Sequence, residues 1–280
     1  MTLQRLGFAF NPTIPDAISL SQRSIGWCEE RGIAAWALPA GELGSLVERL
    51  PGTDLLVVLG GDGTFLRAAQ AVAQVDVPLL GVNLGKVGFL SKAEASELEP
   101  VLGQLVEGDY SLGERMGLAG AILPGGGAVG RTFTALNDLV IARGSLARVV
   151  RLDVKIDESH LATFIADGLV VSSPTGSTGY SFSAGGPILD PQSRNLVLTP
   201  IAAYLSAIRS IVVSPDQVVR CRVIDAFEAL VSIDGRDDHR LEVGDVVEVR
   251  ALPRPIRFVE PRGALPFWDL LRTKVQLLPS

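Results

Sequence analysis

The sequence is poor in the residues that most often carry metal and redox chemistry. Only two cysteines, Cys28 and Cys221, occur in 280 residues. They lie far apart and form no CxxC pair, so neither a disulfide framework nor a redox motif is expected, and both read as ordinary reduced thiols. The two histidines, His160 and His239, are too few for a zinc site built on His and Cys. Apolar residues make up 47% of the chain, yet no uninterrupted apolar run is long enough to cross a bilayer. The most apolar segment, Leu196–Ile208, is broken by threonine, proline and serine. The opening "MTLQRLGFAFNP" lacks the parts of a signal peptide. A net charge of −6 with scattered basic residues gives no basic face for nucleic acid. The expectation is a soluble, cytoplasmic protein with neither membrane nor nucleic acid as partner. Small anionic ligands stay within reach, because a few backbone N–H groups can hold a phosphate.

What is present is a change of texture along the chain. The first third alternates short apolar runs ("RLGFAF", "IAAWAL", "DLLVVLG", "VPLLGVN") with segments of helical spacing ("DAISLSQRSIGWCEERG", "ELGSLVERL", "TFLRAAQAVA", "ASELEPVLGQLVEG"). That alternation predicts an α/β N-terminal domain with a parallel sheet covered on both faces. From about residue 114 to 255, many short β-like runs separated by turn signals predict a β-rich, layered or sandwich-like C-terminal domain. "LPGGGAVG" reads as a hairpin turn, and "PIAAYLSAIRS" within the β-rich region reads as a helix. The expected division is residues 1–113, with residues 256–280 packing back on them, and residues 114–255.

Three stretches bear on chemistry. In "GGDGT", Gly60, Gly61 and Gly63 allow a sharp strand-to-helix turn and close approach of a ligand, Thr64 can cap the helix, and Asp62 sits in the middle. The turn falls at the carboxyl end of a strand, where ligands of parallel sheets bind. It matches neither GxxxxGK[ST] nor GxGxxG, and taken alone it is equally an ordinary tight turn. The second stretch, "DGLVVSSPTGSTGYSFSAGGPI" (Asp167–Ile188), gathers Ser173, Thr175, Ser177, Thr178, Tyr180 and Ser183 among glycines at a strand exit. Hydroxyls and amides so arranged suit phosphate oxygens and ribose hydroxyls, and Asp167 could accept hydrogen bonds from a ribose diol. The third is Asn137–Asp138 in "ALNDLVI", polar neighbours inside a β-like run that either split between a ligand and solvent or mark a bulge.

In this order, with "GVNLGKVGFL" (Gly81–Leu90) between them and "SIDGRDD" as a weaker late match, the motifs resemble the NAD kinase family from about Asp54 to Asp190. "GGDGT" is shared with diacylglycerol-type lipid kinases and related to a turn in phosphofructokinases; the long Ser/Thr motif is the specific part. The resemblance implies transfer of a phosphoryl group from ATP or polyphosphate to the 2′-hydroxyl of the adenosine ribose of NAD, giving NADP. It implies Mg²⁺ carried mainly on donor phosphates, and homodimers or homotetramers in which a neighbouring subunit helps complete the site. It casts Asp62 as the catalytic carboxylate and Gly60, Gly61, Gly63 and Thr64 as the phosphate turn. Asn137 and Asp138 contact the adenosine part of NAD, Asp138 standing where many relatives have Glu. Asp167 binds the nicotinamide-side ribose. Gly63, Thr175, Thr178, Gly179 and Tyr180 line the dinucleotide site, Gly179 standing where Ala is common, and Asn83 and Phe89 lie beside it. The rival readings are a lipid kinase, disfavoured by the polar "SSPTGSTGYS" run, a non-catalytic NAD(P) sensor, disfavoured by the intact Asp62, and an α/β protein whose glycine motifs are only turns.

Overall fold

The computed structural model describes residues 3–85, 88–145, 148–204 and 207–275. Lys86 and Val87 of the Gly81–Leu90 element, Leu205 and Ser206 of the expected helix, and residues 276–280 of the tail lie outside them. Two compact units divide the chain: residues 1–114 with 256–280, and residues 115–255.

The first unit opens with β1 (Arg5–Phe10), α1 (Pro15–Glu29), β2 (Ala34–Pro39), α2 (Leu43–Arg49), β3 (Leu55–Gly60), α3 (Asp62–Val75), β4 (Leu79–Asn83), β5 (Ala93–Glu94), α4 (Leu98–Glu107) and β6 (Tyr110–Arg115). The second unit follows with β7 (Leu118–Leu123), β8 (Arg131–Ala135), β9 (Asp138–Arg143), β10 (Val150–Ile156), β11 (Ser159–Ala166), β12 (Gly168–Ser172), α5 (Tyr180–Ser183), β13 (Leu196–Ile201), β14 (Ile211–Val213), β15 (Val219–Ala226), β16 (Ala229–Ile233), β17 (Arg236–Leu241) and β18 (Val246–Ala251). The last strand and helix, β19 (Ile256–Pro261) and α6 (Phe267–Val275), belong to the first unit.

The sheet of the first unit runs β2-β1-β3-β4-β19-β6, with β5 beside β4. The β1–β2, β1–β3, β3–β4 and β4–β19 pairings are parallel. Every residue of β3 is buried, as a strand covered on both faces must be. Alternation sends Leu55, Val57 and Leu59 into one core with Leu20 and Cys28 of α1 and Leu98, Leu102 and Leu105 of α4. Helix α1 starts on Pro15, with Asp16 in its first turn, and α4 stops where Gly108 takes a left-handed φ of 80°. The α/β expectation for this part of the chain holds.

The second unit is two six-stranded sheets, β11-β10-β15-β18-β7-β8 and β14-β13-β12-β9-β16-β17. Their inward residues, among them Leu152, Val154, Cys221 and Val249 from one sheet and Leu139, Ile141, Leu169 and Val231 from the other, share a single core. This is the layered β architecture that the turn spacing predicts. The glycine-rich stretch does close the β7–β8 hairpin. Asp234 and Gly235, with φ of 51° and 66°, form the two-residue loop between β16 and β17. The expected helix around Pro200 is absent: Leu196–Ile201 is strand, residues 202–204 and 207–210 are not helical, and Ile211–Val213 pairs back on β13. Pro200 and Ile201 instead extend β13, whose Leu196 and Leu198 alternate into the core, and pair with Leu169 and Gly168 of β12. Among the described residues no helix is long and apolar enough to cross a membrane.

Candidate active site

In the first unit the polar cluster begins where β3 ends. Gly61 is extended and acts as N-cap of α3, so the helix starts at Asp62, and no side chain caps it. Thr64 therefore lies inside the first turn, not at the cap that the sequence suggests. It is buried against Gly60, where any Cβ would strike its hydroxyl and Cβ. Gly60 is thus required by Thr64, and Asp62 occupies a helix N-terminus, where the macrodipole favours negative charge. The carboxylate is tied down: Phe89 N–H donates to Oδ2 at 3.1 Å and Leu90 N–H to Oδ1 at 3.3 Å. Gly88 passes so close that a Cβ there would overlap the carboxylate. Gly88, Phe89 and Leu90 are therefore the seat of Asp62, to which Phe89 contributes its amide. Asn83 is differently employed. It is 1% exposed, its amide donates to Glu94 at 3.0 and 3.2 Å and to Gly85 O at 2.9 Å, and its Oδ1 accepts from Gly85 N–H at 3.2 Å. Through these bonds Asn83 holds the turn after β4.

In the second unit the cluster forms where the chain crosses between the two sheets. Leu136 and Asn137 make the corner from β8 to β9, so the Asn–Asp pair is at a strand start, not within a strand. One carboxylate fixes that corner. Asp234, 6% exposed, accepts backbone N–H bonds from Leu136 (3.0 Å), Asn137 (2.8 Å) and Asp138 (3.2 Å). Asp138 is 5% exposed, and burial first, then the Asp234 charge, pushes its carboxyl up to about 7. Reading the motifs undervalued Asp234: the only signal was "SIDG", whose Asp-Gly reads first as a hairpin turn.

The Ser/Thr-rich stretch packs against the same corner. A Cβ on Gly176 would collide with the Asn137 backbone, and Ser173 N–H donates to Asn137 O at 2.8 Å. Two hydroxyls singled out as suiting a phosphate or ribose are spent internally, Ser173 on Leu136 O and Ser177 on Pro174 O, and the neighbouring Ser181 pairs with Thr199. They shape the loop. Thr178 is half-buried and directs its hydroxyl to Thr175 O at 3.3 Å. Asn137 Oδ1 and Thr175 Oγ1 are different, being buried with no hydrogen-bond partner among the described residues. Buried polar atoms rarely stay unpaired, so these two are the natural contacts for a polar ligand. Tyr180 is 46% exposed, leaving its ring open for packing. At Gly179 a Cβ would lie 3.3 Å from Gly176 O and 3.9 Å from Asp138 Oδ2, so the site would accept alanine with a slight adjustment. Asp167 is gripped by Arg143 through Nε (2.7 Å) and a terminal nitrogen (3.2 Å), while its side chain remains 38% exposed. The grip orients a carboxylate whose free edge is open to hydroxyl donors.

The first unit carries a glycine turn and a clamped carboxylate at a helix start, and the second carries one hydroxyl and one amide oxygen buried without a partner among the described residues; each suits a phosphotransferase of nucleotide-type substrates. The ATP-NAD kinase N-terminal domain matches residues 28–110, and the ATP-NAD kinase C-terminal domain matches residues 136–261. An NAD kinase of Syntrophotalea carbinolica is 37% identical over 98% of both chains. Two solved structures share the fold at 23% identity. A yeast NADH kinase complexed with NADH has a TM-score of 0.86, covering 100% of this chain and 89% of that one. An NAD kinase from Archaeoglobus fulgidus in complex with ATP has a TM-score of 0.77, covering 98% and 100%. The chain belongs to the NAD kinase family.

Proposed function

We infer that this chain transfers the terminal phosphoryl group of ATP to the 2′-hydroxyl of the adenosine ribose of NAD, giving NADP and ADP. The observation that carries the reading is the clamped carboxylate of Asp62. A glycine turn built only to hold phosphate gains nothing from a negative charge, whereas a hydroxyl that must attack phosphorus needs an acceptor aimed at its proton. The 2′-oxygen forms its bond to the terminal phosphorus as the bond to the bridging oxygen of ADP breaks, and the hydroxyl proton passes to Asp62. Because the proton leaves late in a loose transition state, orientation matters more than basicity.

The other assignments follow the polar clusters. The amides of Gly60, Gly61 and Gly63, beside Thr64, serve the donor phosphates. Asn137 and Asp138 take the adenosine part, Asp167 takes the nicotinamide-side ribose, and Thr175, Thr178, Gly179 and Tyr180 line the dinucleotide. Phe89 borders the site through the seat of Asp62, and Asn83 supports the turn behind it. Among the described residues no three His, Cys, Asp or Glu side chains gather into a metal-holding group. We assign Mg²⁺ to the donor phosphates, where it would neutralise developing charge. Polyphosphate can replace ATP as donor, since a glycine turn reads phosphate whatever it is attached to. Exposed Tyr204, Phe182 and Phe227 support self-association into a homodimer or homotetramer, and we place the protein in the cytoplasm. The test is to incubate the purified protein with NAD, Mg²⁺ and either ATP or polyphosphate, and to measure NADP with an NADP-specific dehydrogenase. NADP formation is expected; measurable NAD binding without NADP from either donor would make the chain a non-catalytic NAD reader.

A further inference from the structure

The contacts around Phe89 run onward to the C-terminal arm, which belongs to the same unit as Asp62. Phe89 has two roles. Its amide is one of the pair that holds the Asp62 carboxylate, and its ring is gripped by α6. Phe267 packs against the ring at a centroid distance of 6.3 Å, and the Lys274 ammonium lies 4.4 Å from the ring centroid on the same helix. Phe267 is itself braced edge-on by Trp268 at 4.9 Å. Three residues further along the seat, Lys92 Nζ lies 3.8 Å from Glu260 of β19 and donates to Leu265 O at 3.4 Å. The segment that carries the two clamping amides is thus pinned on both sides by one arm of chain, residues 260–274.

We propose that this arm is a buttress that sets the position of the catalytic carboxylate, with Phe267 and Lys274 as positioning residues acting through Phe89. The inference rests on the reading of Asp62 given above. Among the described residues the carboxylate has two donors, the N–H groups of residues 89 and 90, so slack in that backbone becomes slack in the carboxylate. A misplacement on the order of 1 Å at a reacting group costs up to about a hundredfold in rate. Neither α6 side chain needs to touch a substrate to have this effect.

The proposal separates from a general stabilising role by a double-mutant cycle read in kinetics. Phe267→Ala is expected to lower turnover by about tenfold or more while the KM values for NAD and ATP stay within about twofold. Phe267→Tyr, which keeps the ring, restores most of the turnover. In an Asp62→Asn background Phe267→Ala adds no further loss, because the group it positions is gone. Lys274→Met, which leaves the apolar packing of α6 in place, gives the same non-additive pattern at smaller amplitude. Equal losses in both backgrounds, or KM values that rise in step with the fall in turnover, would overturn the buttress and leave the role of Asp62 intact. Wild-type turnover in Asp62→Asn alone would remove the carboxylate from the chemistry and the buttress with it.

Discussion

Asp234→Asn isolates the role of the carboxylate behind the Asn137–Asp138 corner. Asparagine keeps a side chain that tolerates the left-handed φ of 51° at this position, so the turn itself is spared. It keeps one acceptor oxygen, which can go on serving Asn137 and Asp138 N–H. The other oxygen becomes an NH₂ group facing the buried N–H of Leu136, bonded at 3.0 Å in the native protein. Leaving one buried N–H unsatisfied costs about 1–3 kcal/mol, and turning two charge-assisted bonds into neutral ones costs roughly another 1–2 kcal/mol. Against this, removing the Asp234 charge relieves its repulsion of Asp138, so the net destabilisation is roughly 1–4 kcal/mol. Chemical denaturation of the variant beside the wild type measures it. The KM for NAD should rise as well, because the amides that lose their anchor belong to Asn137 and Asp138. A stability change below about 0.5 kcal/mol together with an unchanged KM would refute the reasoning.

Three further outcomes follow from the same geometry. Asp138 titrates near 7 in the folded chain against about 4 when unfolded, so between these values the native state holds the extra proton. Its contribution to stability is full below about pH 4 and is lost as pH rises through about 7; Asp138→Asn should flatten that part of the denaturation-midpoint profile. Gly88→Ala would place a methyl on the Asp62 carboxylate and should cut turnover about tenfold or more, with the circular dichroism spectrum and NAD binding retained. Gly179→Ala should leave both KM and turnover within about twofold of wild type, since its Cβ meets only contacts at 3.3 and 3.9 Å.

The α/β and β-rich parts were legible because their patterns are local. Strand β3 is a continuous apolar run before glycine, and the Asp234–Gly235 and Pro124–Gly130 turns carry their own composition. The misread stretch, Pro200–Ser210, opens in an apolar run that fits either period, and the pairing of Pro200 and Ile201 with β12 makes its start strand. Site residues were legible as a set but not by task. "SSPTGSTGYS" does not say which hydroxyls face inward; Ser173, Ser177 and Ser181 are spent on Leu136 O, Pro174 O and Thr199, while Thr175 Oγ1 has no partner among the described residues. The structural partner of Asn83, Glu94, is eleven residues downstream and comes within reach through β5 pairing, which the Gly81–Leu90 motif does not encode. The tasks of Asp234 and Phe267 depend on contacts spanning 96 and more residues, which no local spacing encodes.

The most direct test of the central claim sets wild type and Asp62→Asn side by side in NAD, ATP and Mg²⁺. NADP formation is followed enzymatically and NAD affinity is measured by calorimetry. The account predicts that turnover falls by orders of magnitude in the variant while NAD affinity changes little, because the carboxylate acts on the hydroxyl in the transition state and not on the bound dinucleotide. Near-normal NADP formation by Asp62→Asn, or an equal collapse of NAD affinity, would contradict it.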